Sequence, residues 1–186
     1  MNRDALYNIL LSMHINDIYA LYTDKTSVKN INNILNDTQF WKDKFDYNDL
    51  PIINKMNNVY EWVKEYQKVL HATQETNKIF NSFYKSTNTM DIILNPLYRN
   101  NMNDTIRHIL PHNMNFIPYS MKYNHTNQLF YNPAIFGSNQ SIAYDIDENT
   151  MREFLVKLIY YNIQLSIFIG TNTLYANNKL SIFTTK

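Results

Sequence analysis

The sequence predicts an α+β fold, with a helical N-terminal half followed by a mixed half that combines an antiparallel sheet with one or two packing helices. Three patterns carry this prediction. Between about residues 54 and 85, apolar side chains recur mostly at three- and four-residue steps, as on one face of a long helix. After residue 87, short apolar runs alternate with turn residues, as strands do. Residues 151–159 then return to helical spacing.

The segment before residue 14 predicts a short amphipathic helix. Asn2 or Asp4 can cap its start by accepting backbone N–H bonds. A helix of this length is not stable alone in water, so its apolar face must pack against something else. That face is formed by residues at i, i+3, i+4 and i+7, namely Leu6, Ile9, Leu10 and Met13.

Two more short helices are expected before residue 37. Asn16 or Asp17 can cap the second helix, which presents Ile18 and Leu21. These helices could form a subdomain with all its apolar faces turned inward, or a module that keeps one face open for a partner. Both structures need the same apolar stripes, so both interpretations remain open here. The third helix ends at Asn36-Asp37 and carries a further apolar stripe, formed by Val28, Ile31, Ile34 and Leu35.

The strongest pattern predicts a long helix over about residues 54–85, which would span roughly 45 Å. The apolar stripe thins at Thr73–Asn77, which leaves a break there open. Trp62 and Tyr66 in its first half form an aromatic stripe, which indicates packing in the core. A linker is expected at 86–89. We therefore predict three parts, namely a helical module at 1–50, a connecting helix at 51–86 and an α+β interaction domain at 87–186.

The mixed half is expected to contain two further helices and several short strands. One helix is predicted over 102–110, and a second begins after Asp147 or Asn149, where a carboxylate or amide can cap it. Gly170 and the pair Asn177-Asn178 predict turns. Apolar runs or strands are expected at 90–94, 115–119, 128–131, 141–146, 163–169, 173–176 and 180–183.

Composition excludes several classes of function. The 17 basic and 16 acidic side chains are spread evenly, so no basic stripe exists and nucleic acid is not expected as a partner. The chain has no cysteine, which removes disulfides and thiolate metal sites. Its two glycines cannot form a phosphate-binding loop, so no cofactor is expected. The most apolar window, 155–169, contains Lys157, and we expect neither a membrane span nor a signal peptide.

The sequence contains few candidates for catalytic or metal-binding residues. His108 and His112 are spaced as two metal ligands on a helix would be, but Pro111 lies between them and no carboxylate completes the pattern. We therefore expect two surface histidines there. An acidic cluster precedes the predicted C-terminal helix, where acidic side chains are favoured without any catalytic role; it is formed by Asp145, Asp147 and Glu148. The sequence predicts no catalytic, cofactor or metal site, and no enzyme.

The first forty-five residues resemble an F-box, the short helical module that attaches a protein to a Skp1-type adaptor of a cullin ubiquitin ligase. The family has an acidic residue before Ile-Leu, then Asp-Leu-x-x-Leu, then an apolar residue before Trp and a basic residue. The opening Leu-Pro and the Val-Cys-Arg centre of the family are absent, and this Asn-rich form is similar to F-box-like proteins of large DNA viruses of protists. The matching residues are Asp4 with Ile9-Leu10, Asp17-Ile18 with Leu21, and Phe40-Trp41-Lys42.

The resemblance implies a non-enzymatic adaptor in the cytoplasm, or in the host cytoplasm or virion if the source is viral. The C-terminal half would hold an unknown protein substrate. Trp41 would pack at the edge of the module with Lys42 pointing outward, and the first two helices would stay partly uncovered. The side chains expected to bind the Skp1-type protein are Leu6, Ile9, Leu10, Met13, Ile18, Leu21 and Trp41.

The alternative is a structural or virion-associated protein that forms homo-oligomers through aromatic-rich surfaces. The chain contains 15 tyrosines and 10 phenylalanines. Tyr119, Tyr123 and Tyr131 lie in a polar region that reads as loop-rich, where aromatic side chains can anchor protein contacts. In this alternative the helix with Trp62 and Tyr66 covers the N-terminal helices and leaves no surface for an adaptor.

Overall fold

A computed structural model describes residues 2–24, 29–94, 120–131 and 142–176. Within these ranges the chain contains six helices and six strands, and the predicted α+β fold is confirmed. It divides into two compact units, residues 1–73 (unit 1) and 74–186 (unit 2), with the boundary inside the longest helix. None of the helices in these ranges is both long enough and apolar enough to cross a membrane.

Unit 1 contains four short helices and the first part of a long one. The first two helices begin at caps just before them: the Asn2 side chain accepts from the Asp4 N–H at 3.2 Å, and His14 Nδ1 accepts from the Asn16 N–H at 3.3 Å. The predicted caps Asn16 and Asp17 are therefore wrong, because both lie in the first turn. The helices are α1 (Arg3–Ser12), α2 (Ile15–Thr23), α3 (Lys29–Leu35), α4 (Thr38–Tyr47) and α5 (Val59–Phe83).

The long helix α5 is continuous through the segment where its apolar stripe thins. Ala72 and Thr76 are each 1% exposed, so they extend the buried stripe between Val69 and Ile79 with smaller side chains. The break left open at 73–77 does not occur, because small side chains at the same three- and four-residue steps keep that face buried.

Unit 2 contains a six-stranded sheet in which every neighbouring pair is antiparallel. The strand order is β4-β3-β2-β1-β5-β6. Gly170 turns β5 into β6 with a φ of +59°, a left-handed conformation that glycine adopts without strain. The strands are β1 (Met90–Leu94), β2 (Ser120–Tyr123), β3 (Gln128–Tyr131), β4 (Ile142–Asp145), β5 (Leu165–Ile169) and β6 (Asn172–Ala176).

All of the predicted strands that fall on described residues are present. The strands predicted at 128–131, 141–146, 163–169 and 173–176 correspond to β3, β4, β5 and β6, and the apolar run at 90–94 is β1. β2 was not predicted. The strands expected at 115–119 and 180–183 and the helix over 102–110 lie outside the described residues.

The helix α6 (Glu148–Tyr160) begins where the sequence predicts, after the cap residue Asp147. The Asp147 carboxylate accepts from the Thr150 N–H at 2.9 Å and from its hydroxyl at 2.6 Å, and these bonds hold the pKa of Asp147 below its ordinary value. The helix then buries seven side chains, namely Met151, Phe154, Leu155, Val156, Leu158, Ile159 and Tyr160.

Replacing Asp147 by alanine is expected to lower the free energy of unfolding at pH 7, because the bonds that its carboxylate accepts from the N–H and the hydroxyl of Thr150 at the start of α6 are lost. Since the folded pKa is depressed, the contribution of Asp147 is present above its ordinary pKa and fades as the pH falls through the folded value. Urea denaturation of both proteins at pH 7 and near pH 3 checks this. A cost that is unchanged at the lower pH would contradict a charge-dependent cap.

Candidate partner-binding site

Helix α4 is the centre of unit 1, and Trp41 is fully buried on it. The indole ring stacks on Trp62 of α5, with 6.0 Å between ring centroids and an interplanar angle of 4°. Its N–H donates to the Leu35 carbonyl at the end of α3, at 2.8 Å. Trp41 therefore lies in the core and not at the edge of the module, whereas Lys42 is exposed as expected.

Lys44 of α4 donates to carbonyls at the end of α1, as Trp41 does at the end of α3. Its side chain is 2% exposed, and its ammonium donates to the carbonyls of Leu11 and Met13 at 2.5 and 2.6 Å. These carbonyls belong to the negative end of the α1 dipole, where a cation is favoured. The Tyr66 ring lies 5.8 Å from the ammonium, and burial lowers the pKa of Lys44.

Tyr7 fastens the middle of α1 to α4. Its hydroxyl donates to Asp43 Oδ2 at 2.6 Å, and its ring meets Phe40 edge-on at 5.5 Å. Burial, followed by the hydrogen bond to Asp43, raises the pKa of Tyr7. Together with Lys44, these contacts fix the rotation of α1 about its axis and so decide which of its side chains face outward.

The structure divides the seven predicted binding residues into two groups. Ile9 is 45% exposed, and Met13 and Leu21 are half-buried. Met13 lies one turn beyond Ile9, since its N–H donates to the Ile9 carbonyl at 3.0 Å. The remaining side chains lie in the core and offer a partner little or no surface: Leu6, Leu10, Ile18 and Trp41.

Helix α5 contacts α2 as well as α4. Tyr60 packs against Tyr19 with 6.0 Å between ring centroids, and Gln67 Nε2 donates to Asn16 Oδ1 at 2.9 Å. The outward face of α1 remains open, with Ile9 as its one large apolar side chain among the described exposed residues. Part of the N-terminal module is thus covered by α5 and part is accessible.

The remaining candidate clusters have structural explanations. Asp147 caps α6, Glu148 pairs with Arg152 at 2.6 Å, and Asp145 accepts from Gln128 at 3.3 Å. Hydrogen bonds from Tyr84 and Arg152 lower the pKa of Glu148. These carboxylates are already held by other side chains, which does not suit a general acid or base.

Two of the three tyrosines predicted to anchor protein contacts are buried in the core of unit 2. Tyr123 and Tyr131 are inward-facing strand residues and are 1% and 6% exposed, so neither is available as an anchor for a protein contact. The alternation of short strands places them in the core. Tyr119, His108 and His112 lie outside the described residues. Within the ranges that are described, no group of three or more His, Asp or Glu side chains is placed to hold a metal ion.

Sequence reasoning missed Tyr7, Asp43 and Lys44, which position α1. One signal was available for Lys44: it lies three residues after Trp41 and one before Phe45, which is the buried face of a helix. A lysine at such a position extends its stem through the core and needs acceptors at its end.

Comparison with family models, with curated proteins and with solved structures finds no match for this chain. The F-box resemblance therefore depends on the N-terminal residues themselves.

Proposed function

We propose that unit 1 is an F-box-like module that docks on a Skp1-type adaptor of a cullin ubiquitin ligase. The observation that carries the proposal is the exposure of Ile9 within the segment that resembles the F-box. An isoleucine that is 45% exposed on a short helix, next to half-buried Met13, gives a partner an apolar anchor. Burial of such a side chain at an interface contributes on the order of 2 kcal/mol.

The contact surface proposed is narrower than the seven residues expected from the sequence. Ile9 is the anchor, Met13 and Leu21 contribute partial surface, and the buried residues of the pattern stabilise the module. Lys44 and Tyr7 act as positioning residues, because they hold α1 in the rotation that turns Ile9 outward.

Unit 2 would hold a protein substrate for ubiquitin transfer, and the protein itself would perform no chemistry. A cytoplasmic location, or a host cytoplasm or virion location for a viral protein, belongs to the same proposal. Of the three anchors named for the structural alternative, Tyr123 and Tyr131 are buried, and Tyr119 lies outside the described residues.

Titration of a purified Skp1-type protein with this chain, followed by calorimetry, tests the docking. We expect a dissociation constant in the micromolar range or below. Replacing Ile9 by glutamate should raise it at least about tenfold, because a charged group replaces the apolar anchor. The matched control is Ile52→Glu, since Ile52 is 40% exposed in the same unit but lies outside the F-box-like pattern.

Circular dichroism of both variants establishes that they are folded, which is expected because both positions are exposed. Leu10 would be a poor choice, since a charge at a fully buried position would unfold the module. Absence of binding heat at high concentration, together with absence of a complex in gel filtration, would rule out the adaptor function. Equal weakening by Ile9→Glu and Ile52→Glu would show that α1 is not the docking surface.

A further inference from the structure

The sheet of unit 2 has one buried face and one accessible face. Side chains on the buried face alternate along β1, β2, β3 and β5 with outward-facing ones, and this face includes Tyr123, which contacts Phe80 and Phe83 of α5. On the opposite face, Ile93 is 44% exposed, and Phe130 and Phe168 are half-buried. This second face carries apolar surface that the fold does not bury completely.

One row of residues crosses the accessible face, with one member on each strand. The register pairs Lys122 with both Phe130 and Asp91, and it pairs Asp91 with Phe168. The Lys122 ammonium lies 3.8 Å from the Asp91 carboxylate, with side-chain exposures of 58% and 31%. In spatial order from β4 to β6, the row reads Ala143, Phe130, Lys122, Asp91, Phe168 and Thr173.

This row is nearly symmetric about its centre. A small residue and a phenylalanine lie on each side, and the two central residues carry opposite charges. A two-fold axis parallel to the strands, between β1 and β2, reverses the order of the row when a second copy is placed face to face. Lys122 then lies opposite the partner's Asp91, Phe130 lies opposite the partner's Phe168, and Ile93 lies opposite the partner's Ser120.

We propose that a second copy of this chain docks on the accessible face of the sheet through this two-fold arrangement. An isologous interface must be complementary to itself, and this face meets that requirement in the order of its charged and aromatic side chains along the row. The four central charges would alternate in sign across the interface, and the phenylalanines would pack on both sides of them. An unrelated partner would not need a face that matches its own reversed order.

The size of the face predicts a reversible dimer. Six strands about 4.8 Å apart and four to five residues long cover about 30 by 15 Å. This is about 450 Å² for each copy, or about 900 Å² for both. Interfaces smaller than about 1,200 Å² in total are typical of weak or transient association. We therefore expect dissociation at micromolar concentrations. The interface lies in unit 2 and does not depend on the docking function proposed for unit 1.

Sedimentation velocity over a range of concentrations, with charge-reversal variants of the full chain, tests the proposal. Lys122→Glu makes all four central charges negative, and Asp91→Lys makes them all positive. Each variant alone is expected to raise the dimer dissociation constant at least about tenfold. An equimolar mixture of the two variants should recover the wild-type dimer, because every acidic group of one copy then faces a lysine of the other.

The matched control is Lys78→Glu, which makes the same charge change at an exposed position of α5 and should leave the dimer unchanged. Circular dichroism of each variant, and recovery in the mixture, exclude misfolding as the reason for dissociation. A wild-type chain that stays monomeric up to about 100 μM would overturn the proposal. So would a dimer that both reversals leave intact, or a mixture that fails to recover it.

Discussion

Replacement of Trp41 by alanine is expected to lower the free energy of unfolding of unit 1 by about 3–5 kcal/mol. The ring is completely buried, stacks on Trp62 and edges against Phe40, and its N–H satisfies the Leu35 carbonyl. The substitution removes one of the two tryptophans of this core, leaves a cavity and deprives a buried carbonyl of its donor.

Urea denaturation followed by tryptophan fluorescence reports on unit 1, because the chain has two tryptophans, Trp41 and Trp62, and both lie in that unit. Trp62 remains as the reporter in the variant. Lys42→Ala is the matched control, since Lys42 is exposed on the next position of the same helix and should change the stability by less than about 0.5 kcal/mol. If the two variants lost the same stability, Trp41 would not be a core residue.

The sequence predicts the elements whose patterns are long. Helix α5 is found because its apolar steps persist over many residues, and α6 because a cap residue, Asp147, directly precedes a complete apolar stripe. The alternating run at 163–169, which contains β5, is recognised for the same reason. In each case local pattern and tertiary packing agree, so the prediction needs no knowledge of the neighbours.

The missed elements are those in which the local pattern is short or is interrupted by a charge. Helix α4 buries Lys44 among its aromatic residues, so its sequence reads as polar although that face is in the core. β2 has four residues, as β3 has, but its outward-facing residues are Ser120 and the charged Lys122, so the segment does not stand out as an apolar run. His14 caps α2 through a ring nitrogen, although histidine is not among the preferred caps.

The sequence predicts which side chains of α1 are apolar but not which of them are accessible, and the reason is geometrical. Consecutive residues of a helix differ by about 100° in direction, so Leu10 faces the core while Ile9 faces outward. The apolar pattern alone does not show which neighbour is accessible. The rotation of α1 is fixed by two bonds to α4. Tyr7 donates to Asp43, and Lys44 donates to the Leu11 carbonyl, and each pair is more than thirty residues apart in sequence.

Replacement of Lys44 by alanine is expected to lower the free energy of unfolding of unit 1 by about 2–4 kcal/mol, because a buried stem is lost and two carbonyls at the end of α1 lose their donor. Lys44→Met is the matched variant. It keeps most of the stem volume and removes only the ammonium, so a smaller loss of about 1–2 kcal/mol is expected. Tryptophan fluorescence during urea denaturation gives both values.

The pH dependence of the difference in stability between wild type and Lys44→Met measures the cost of burying the positive charge, separately from the two carbonyl bonds. Burial lowers the pKa of Lys44 in the folded chain, so the unfolded chain binds this proton more tightly between the lowered value and the ordinary pKa of about 10.5. The wild type should therefore gain stability relative to Lys44→Met as the pH rises through that window. Tyr66, the neighbouring titratable side chain, has a raised pKa and is retained in both proteins, so its contribution largely cancels in the difference.

A Lys44→Met variant that is more stable than the wild type at pH 7 would show that burying this charge costs more than its two carbonyl bonds return, and Lys44 would then not stabilise the end of α1.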